Sequence, residues 1–190
     1  MAVMKEIFGY LQQLKEGNEK YLTTKTALVN VASEIRVKTV TDGQSPYAVI
    51  ITCSDSRVIP EAIFSAGIGK LFVIRTAGNT IDGTTLGSIE YAVKHLGVKL
   101  IVVLGHTHCG AVEAVLCHHE EAHGEEVHGN LGRIVNEISK AIGQERDPYV
   151  AVKLNVEHGC DVINQHEFPA IVEGAIYHTD TGRVEFLEEN

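Results

Sequence analysis

YAVIIT (47–52) runs directly into CSDSR (53–57), and KLIVVL (99–104) runs directly into GHTHCG (105–110). Each opens as an unbroken apolar, β-branched run of strand length, and such runs suit strands covered on both faces. A third run, KLFVIR (70–75), lies between them. The intervening segments IPEAIFSAG (59–67) and TTLGSIEYAVKHLG (84–97) have helical apolar spacing, the second with Leu86, Ile89, Tyr91, Ala92, Val93 and Leu96 along one side. Strands alternating with helices imply right-handed crossovers and a parallel sheet.

Outward from this centre, the spacing predicts a helix from near Cys109 through AVEAVLC, and further helices over 130–143 and 149–166. AIVEGAIYHTDTGRVEFLE reads as two strands around an Asp180-Thr181-Gly182 turn, an antiparallel hairpin closing the sheet edge. The N-terminal segment carries Ile7, Phe8, Leu11, Leu14 and Tyr21 at helical spacing, interrupted late by Gly17, so it is an amphipathic helix that needs a partner surface. The expected fold class is α/β: a central, mostly parallel β-sheet flanked by helices, with an antiparallel C-terminal edge strand. One domain spanning 1–190 is expected, with no repeat and no linker.

A chain of 190 residues buries roughly 70% of its unfolded surface, enough for a substantial core. With 44% hydrophobic and 22% charged residues, the composition is that of a soluble globule rather than a disordered chain. The net charge is −9 and the sixteen Lys and Arg are scattered, which excludes the basic footprint of a nucleic-acid binder. No apolar run approaches the ~20 residues a membrane span needs, and the N-terminus has no secretion signal, so no membrane partner is expected and the location expected is cytoplasmic. In that setting the four cysteines point to metal or catalysis rather than disulfides. CHHEEAHGEEVHGN (117–130) is rich in His and Glu and reads either as a metal-binding tract or as a solvated helix end and loop.

In open parallel sheets ligands bind beyond the carboxyl ends of the strands, where the strand order reverses. Cys53 follows the first run and His106 the third, so a thiolate and an imidazole meet there, joined by Cys109 three residues after His106. Cys109 falls at a predicted helix N-terminus, which favours thiolate. One imidazole and two sulfurs suggest Zn2+, and three protein ligands leave a position for water, as in catalytic rather than structural sites. Cys117 lies two helical turns beyond Cys109, and Cys160 sits in an apolar helical pattern, so neither is favoured as a fourth ligand. Asp55 and Arg57 have two readings: a helix cap and a surface charge, or a carboxylate–guanidinium pair facing the crevice. Swung onto the metal, Asp55 would close the site. GNTIDGTTLGS (78–88) matches no phosphate-binding motif, and its glycines read as loop residues.

CSDSRV and GHTHCGAV together resemble the β-class carbonic anhydrases, a resemblance that extends from LKEGNEKYL to GAIYHTDTG. It implies zinc on Cys53, His106 and Cys109, one ion per chain, a catalytic pair Asp55 and Arg57, and a CO2 pocket lined by Gln44, Phe72 and Tyr91. It implies hydration of CO2 to bicarbonate and a proton by hydroxide at zinc, in a homodimer or an assembly of dimers whose pockets form between subunits, and it gives the N-terminal helix a partner subunit to pack on. Thr76 stands where the family usually has Asn. Ile50 stands where members with a regulatory bicarbonate site have Trp, although Arg75 and Tyr177 suit such a site. An open site is therefore expected at neutral pH. Rival readings are hydrolysis of carbonyl sulfide or carbon disulfide at the same metal, a structural zinc site closed by Asp55, and thiol redox chemistry, which the lack of C-x-x-C disfavours.

Overall fold

The computed structural model describes residues 2–25, 29–120 and 129–187. The elements run α1 (Ala2–Thr23), α2 (Ser33–Asp42), β1 (Ala48–Cys53), α3 (Pro60–Ile63), β2 (Leu71–Thr76), α4 (Gly83–Leu96), β3 (Leu100–His106), α5 (Gly110–Glu120), α6 (Gly129–Ile142), α7 (Pro148–Asn164), β4 (Ile171–Tyr177) and β5 (Val184–Phe186). They build one sheet in the order β2-β1-β3-β4-β5. The first four strands are parallel and β5 returns antiparallel to β4, so the expected architecture is the one observed.

β1 and β3 are the inner strands of the parallel stack, and every residue of both is buried. Their alternating side chains feed two apolar layers. Val49, Ile51, Ile101 and Val103 meet Ile89 of α4, Val112 of α5, Ile138 of α6 and Val156 of α7. On the other face Ile50, Leu100, Val102 and Leu104 meet Leu14 of α1, Ile63 of α3 and Phe64. An inner strand buried on both sides has no polar face to display, which is why these two runs read as continuous apolar sequence.

Four local expectations are corrected. The helix expected over 59–67 shrinks to Pro60–Ile63, because the chain turns out of helix at Ser65, whose φ is 47°. Ile63, Phe64 and Ala66 are still buried, so their apolar spacing reports a packed turn. α2 lies where no helix was expected: none of its residues is buried, so it carries no stripe to betray it. β2 is an edge strand, mostly half-buried rather than covered on both faces. Gly17 does not interrupt α1, which runs unbroken to Thr23.

α1 also answers part of its need for a partner within its own chain. Ile7 and Leu14 are buried against the sheet, whereas Val3, Met4 and Phe8 remain exposed for other contacts. Asn18 fastens the helix, donating from Nδ2 to the Ile63 and Gly182 carbonyls (3.2 and 2.9 Å) and accepting at Oδ1 from the Val184 N–H (2.8 Å). The expected hairpin turn is present, with Gly182 at φ 80° donating to the His178 carbonyl at 2.7 Å. The His-rich stretch 117–130 falls mostly outside the described residues.

Gly17 is where α1 touches backbone directly: a Cβ there would lie 2.0 Å from the Phe64 carbonyl oxygen, whereas one at Gly9 meets nothing within 4 Å. Urea unfolding should show Gly17→Ala destabilised by about 2 kcal/mol or more. Gly9→Ala, in the same helix, should be stabilised by up to about 1 kcal/mol through helix propensity alone.

Candidate metal centre

Because β1 and β3 are parallel neighbours, their carboxyl ends emerge side by side, and their last residues are Cys53 and His106. This is the point where the strand order reverses, with β2 on one side and β4 on the other. His108, at φ 56°, turns the chain after β3 and delivers Cys109 to the start of α5. The ligand atoms of Cys53, His106 and Cys109 all lie within 4.8 Å of one another, and all three residues are buried.

The donor set fits a zinc ion. Sγ of Cys53 and Sγ of Cys109 are 4.0 Å apart. Two thiolates bound tetrahedrally at a Zn–S distance of about 2.3 Å would sit about 3.8 Å apart. Nδ1 of His106 faces the Thr107 carbonyl at 2.9 Å, so Nδ1 carries the proton. Nε2 is then a bare lone pair, fully buried and without a hydrogen-bond partner. Buried polar atoms are nearly always satisfied, and an imidazole with its far nitrogen tied to a carbonyl is the usual posture of a metal-ligating histidine.

The sulfurs are electrostatically primed. The Cys53 thiol is held down to about 4, first by the hydrogen bond from Cys109 and then by the backbone N–H groups of Asp55 and Gly78, against the opposing effect of burial. Those N–H groups reach Sγ at 3.4 and 3.3 Å. Cys109 is pushed up by the same hydrogen bond, by burial and by the charge on Cys53. A divalent ion held between them would favour both sulfurs as thiolates.

Asp55 and Arg57 form a carboxylate–guanidinium pair beside this cluster, with the Arg57 side chain 53% exposed. Oδ1 of Asp55 accepts from the Arg57 backbone N–H (2.9 Å) and Nε (3.0 Å), and Oδ2 accepts from Nη2 (2.8 Å). Nη2 also donates to the His108 carbonyl at 2.9 Å. The Arg57 hydrogen bonds hold the Asp55 carboxyl well below the usual carboxylate range. Oδ2 stands 3.9 Å from Nε2 of His106. Asp55 is thus at the rim of the cluster but outside the mutually close ligand set.

Gln44, Phe72 and Tyr91 are not brought to the cluster within one chain. Phe72 and Tyr91 are near each other, with ring centroids 6.1 Å apart, and Tyr91 is 47% exposed. Phe72 lies four residues before Thr76, the residue registered against Cys53, which is about 13 Å along the strand. Gln44 precedes β1, at the amino end of the sheet. Cys117, on α5, is exposed, and Cys160, its thiol pushed up to about 12 by burial, lies on α7 and outside the cluster.

Two contributors escaped the sequence reading. Arg75 donates from Nη2 to the Asp55 carbonyl at 2.7 Å and from Nε to the Cys53 carbonyl at 3.3 Å, pinning the loop after β1. Gly78 donates its N–H to the Cys53 sulfur. Arg75 acts on backbone carbonyls and Gly78 through its own N–H, partners that residue type does not name, although the glycine's φ of 65° agrees with its reading as a loop residue. Tyr177 is spent on Tyr21, hydroxyl to hydroxyl at 3.2 Å.

Comparison with known proteins follows the same lines. The family model described as carbonic anhydrase matches residues 48–184, from the start of β1 into β5. A carbonic anhydrase of Mycolicibacterium smegmatis is 37% identical over 186 residues, covering 90% of this chain and 89% of that protein. Among solved structures, the β-carbonic anhydrase of Aspergillus fumigatus superposes with a TM-score of 0.70 at 30% identity, over 82% of this chain and 81% of that one. A tetrameric β-carbonic anhydrase of Sordaria macrospora gives 0.67 at 29% identity, over 82% and 87%. Sequence, fold and the Cys-His-Cys cluster agree, and the chain belongs to the β-carbonic anhydrase family.

Proposed function

We propose that the chain is a carbonate dehydratase, hydrating CO2 reversibly to bicarbonate and a proton at a zinc ion held by Cys53, His106 and Cys109. The observation that carries this reading is the unpartnered, fully buried Nε2 of His106 beside two sulfurs 4.0 Å apart. When bound, zinc supplies a Lewis acid that acidifies water, less strongly beside two thiolates than beside three neutral imidazoles. The chain's own residues do the positioning. The two N–H groups on Cys53 fix one sulfur, and the Thr107 carbonyl fixes the tautomer of His106. Asp55 presents an ionised carboxylate whose orientation is set by three contacts from Arg57, an acceptor for an O–H group at the remaining coordination position.

That arrangement favours an open catalytic site over a structural one, since a carboxylate tied to Arg57 is not free to become a fourth ligand. Carbonyl sulfide or carbon disulfide hydrolysis gains no support, because the relatives and structures above are all named carbonic anhydrases. Self-association belongs to the same reading. A pocket uniting Gln44, Phe72 and Tyr91 with the metal cluster needs a second copy, and α2, with no residue buried in its own chain, offers surface for one. A homodimer is the simplest such assembly, and sedimentation should give a species of at least twice 20.7 kDa.

Cys53→Ser should lose zinc and stopped-flow CO2 hydration together. Asp55→Asn should retain one zinc per chain but lower kcat/KM roughly 10- to 100-fold, and full activity in that variant would remove the carboxylate from the mechanism. The pH dependence separates the two groups. The folded-state pKa of Asp55 is depressed, so its carboxylate is present across the neutral range and is lost only in strong acid. Wild-type kcat/KM should therefore rise toward alkaline pH with no inflection from Asp55, and Asp55→Asn should scale that profile down without moving its midpoint; a flat wild-type profile contradicts the reading.

A further inference from the structure

Behind the metal cluster, the short 3-10 turn Ala77–Asn79 after β2 holds two successive residues in the left-handed region, Gly78 at φ 65° and Asn79 at φ 46°. Asparagine is one of the few residues besides glycine that enters this region readily, so the sequence suits the turn. The turn is clamped from three helices. A Cβ at Gly78 would lie 2.7 Å from Cδ1 of Ile138 on α6 and 3.1 Å from Cβ of Ala111 on α5. From α7, Asn155 donates its Nδ2 to the Gly78 carbonyl at 2.9 Å in a buried hydrogen bond. Asn155 is the one polar residue among the buried residues of α7, which are otherwise Ala151, Val152, Val156, Gly159 and Ile163. An amide at that depth is costly unless it is paired, and here its partner is the residue whose N–H points at the Cys53 sulfur, 3.3 Å away.

We propose that Asn155 is a positioning residue for the metal ligand Cys53. By holding the Gly78 carbonyl it anchors the peptide that follows the glycine, which limits rotation about Gly78 and so keeps its N–H, in the preceding peptide, aimed at Sγ. The Asp55 N–H, at 3.4 Å, is a second donor to the same sulfur but is positioned by the β1 loop. The inference deepens the zinc reading and rests on it. An outer residue that orients a ligand typically changes metal affinity 10- to 100-fold when removed, and hydrogen bonds to a metal-bound sulfur tune its electronic properties.

The test uses the full-length, zinc-loaded chain and its cobalt(II)-substituted form. Asn155→Ala, and Asn155→Ser, whose hydroxyl is too short to bridge the gap, are compared with wild type and with Ile163→Val, a packing control on the same buried face of α7. In both Asn155 variants, zinc should pass to a chromophoric chelator about tenfold faster, and the sulfur-to-cobalt charge-transfer band should move to longer wavelength. Ile163→Val should lower stability while leaving both readouts unchanged. The serine variant decides the matter if the alanine variant does not fold. Variants that lose stability but match wild type in zinc transfer and in the cobalt band overturn the positioning role alone. A wild-type chain that binds no zinc overturns the metal reading and this inference with it.

Discussion

Two sulfur atoms, those of Cys53 and Cys109, lie buried 4.0 Å apart, and the elements around them are arranged to tolerate thiolate charge there. Removing an anion from water is expensive unless it is paired or hydrogen-bonded. Here the compensation comes from neutral dipoles: N–H groups of the loop after β1 and of the turn after β2 converge on Cys53, while Cys109 sits at the start of α5. Those loops are in turn held by residues whose own side chains never reach the cluster, Arg75 on one side and Asn155 on the other. The cluster is therefore a property of the whole carboxyl edge of the sheet rather than of three ligands.

That edge was legible in the sequence to the extent that burial was. β1 and β3 are apolar at nearly every position because both faces are covered, so the runs ending at Cys53 and His106 announced inner strands, and inner strands that end in ligands announced a site. Where burial is partial the signal weakens. β2 reads like its neighbours although it is an edge strand, and α2 buries none of its residues and left no periodic trace. The 59–67 segment shows the converse error: Ile63, Phe64 and Ala66 are spaced as on a helix but are buried by a turn.

The pairing of Asp55 with Arg57 was one of two readings open from their spacing, the resemblance to a family added a role for it, and the structure gives that pair its geometry. The resemblance also named Gln44, Phe72 and Tyr91, which a single chain leaves at the far end of the strands from the cluster. Neither route reveals residues that act through main-chain atoms. A glycine that must accept an amide at its carbonyl while offering its N–H to a sulfur looks, in one-letter code, like any loop glycine.

The Arg57 side chain is 53% exposed, whereas the three ligands beneath it are buried. Its charge is met by the Asp55 carboxylate that it clasps, so the rim above the ligands carries a neutral ion pair, and a gas or an anion passing it meets a dipole rather than a net charge.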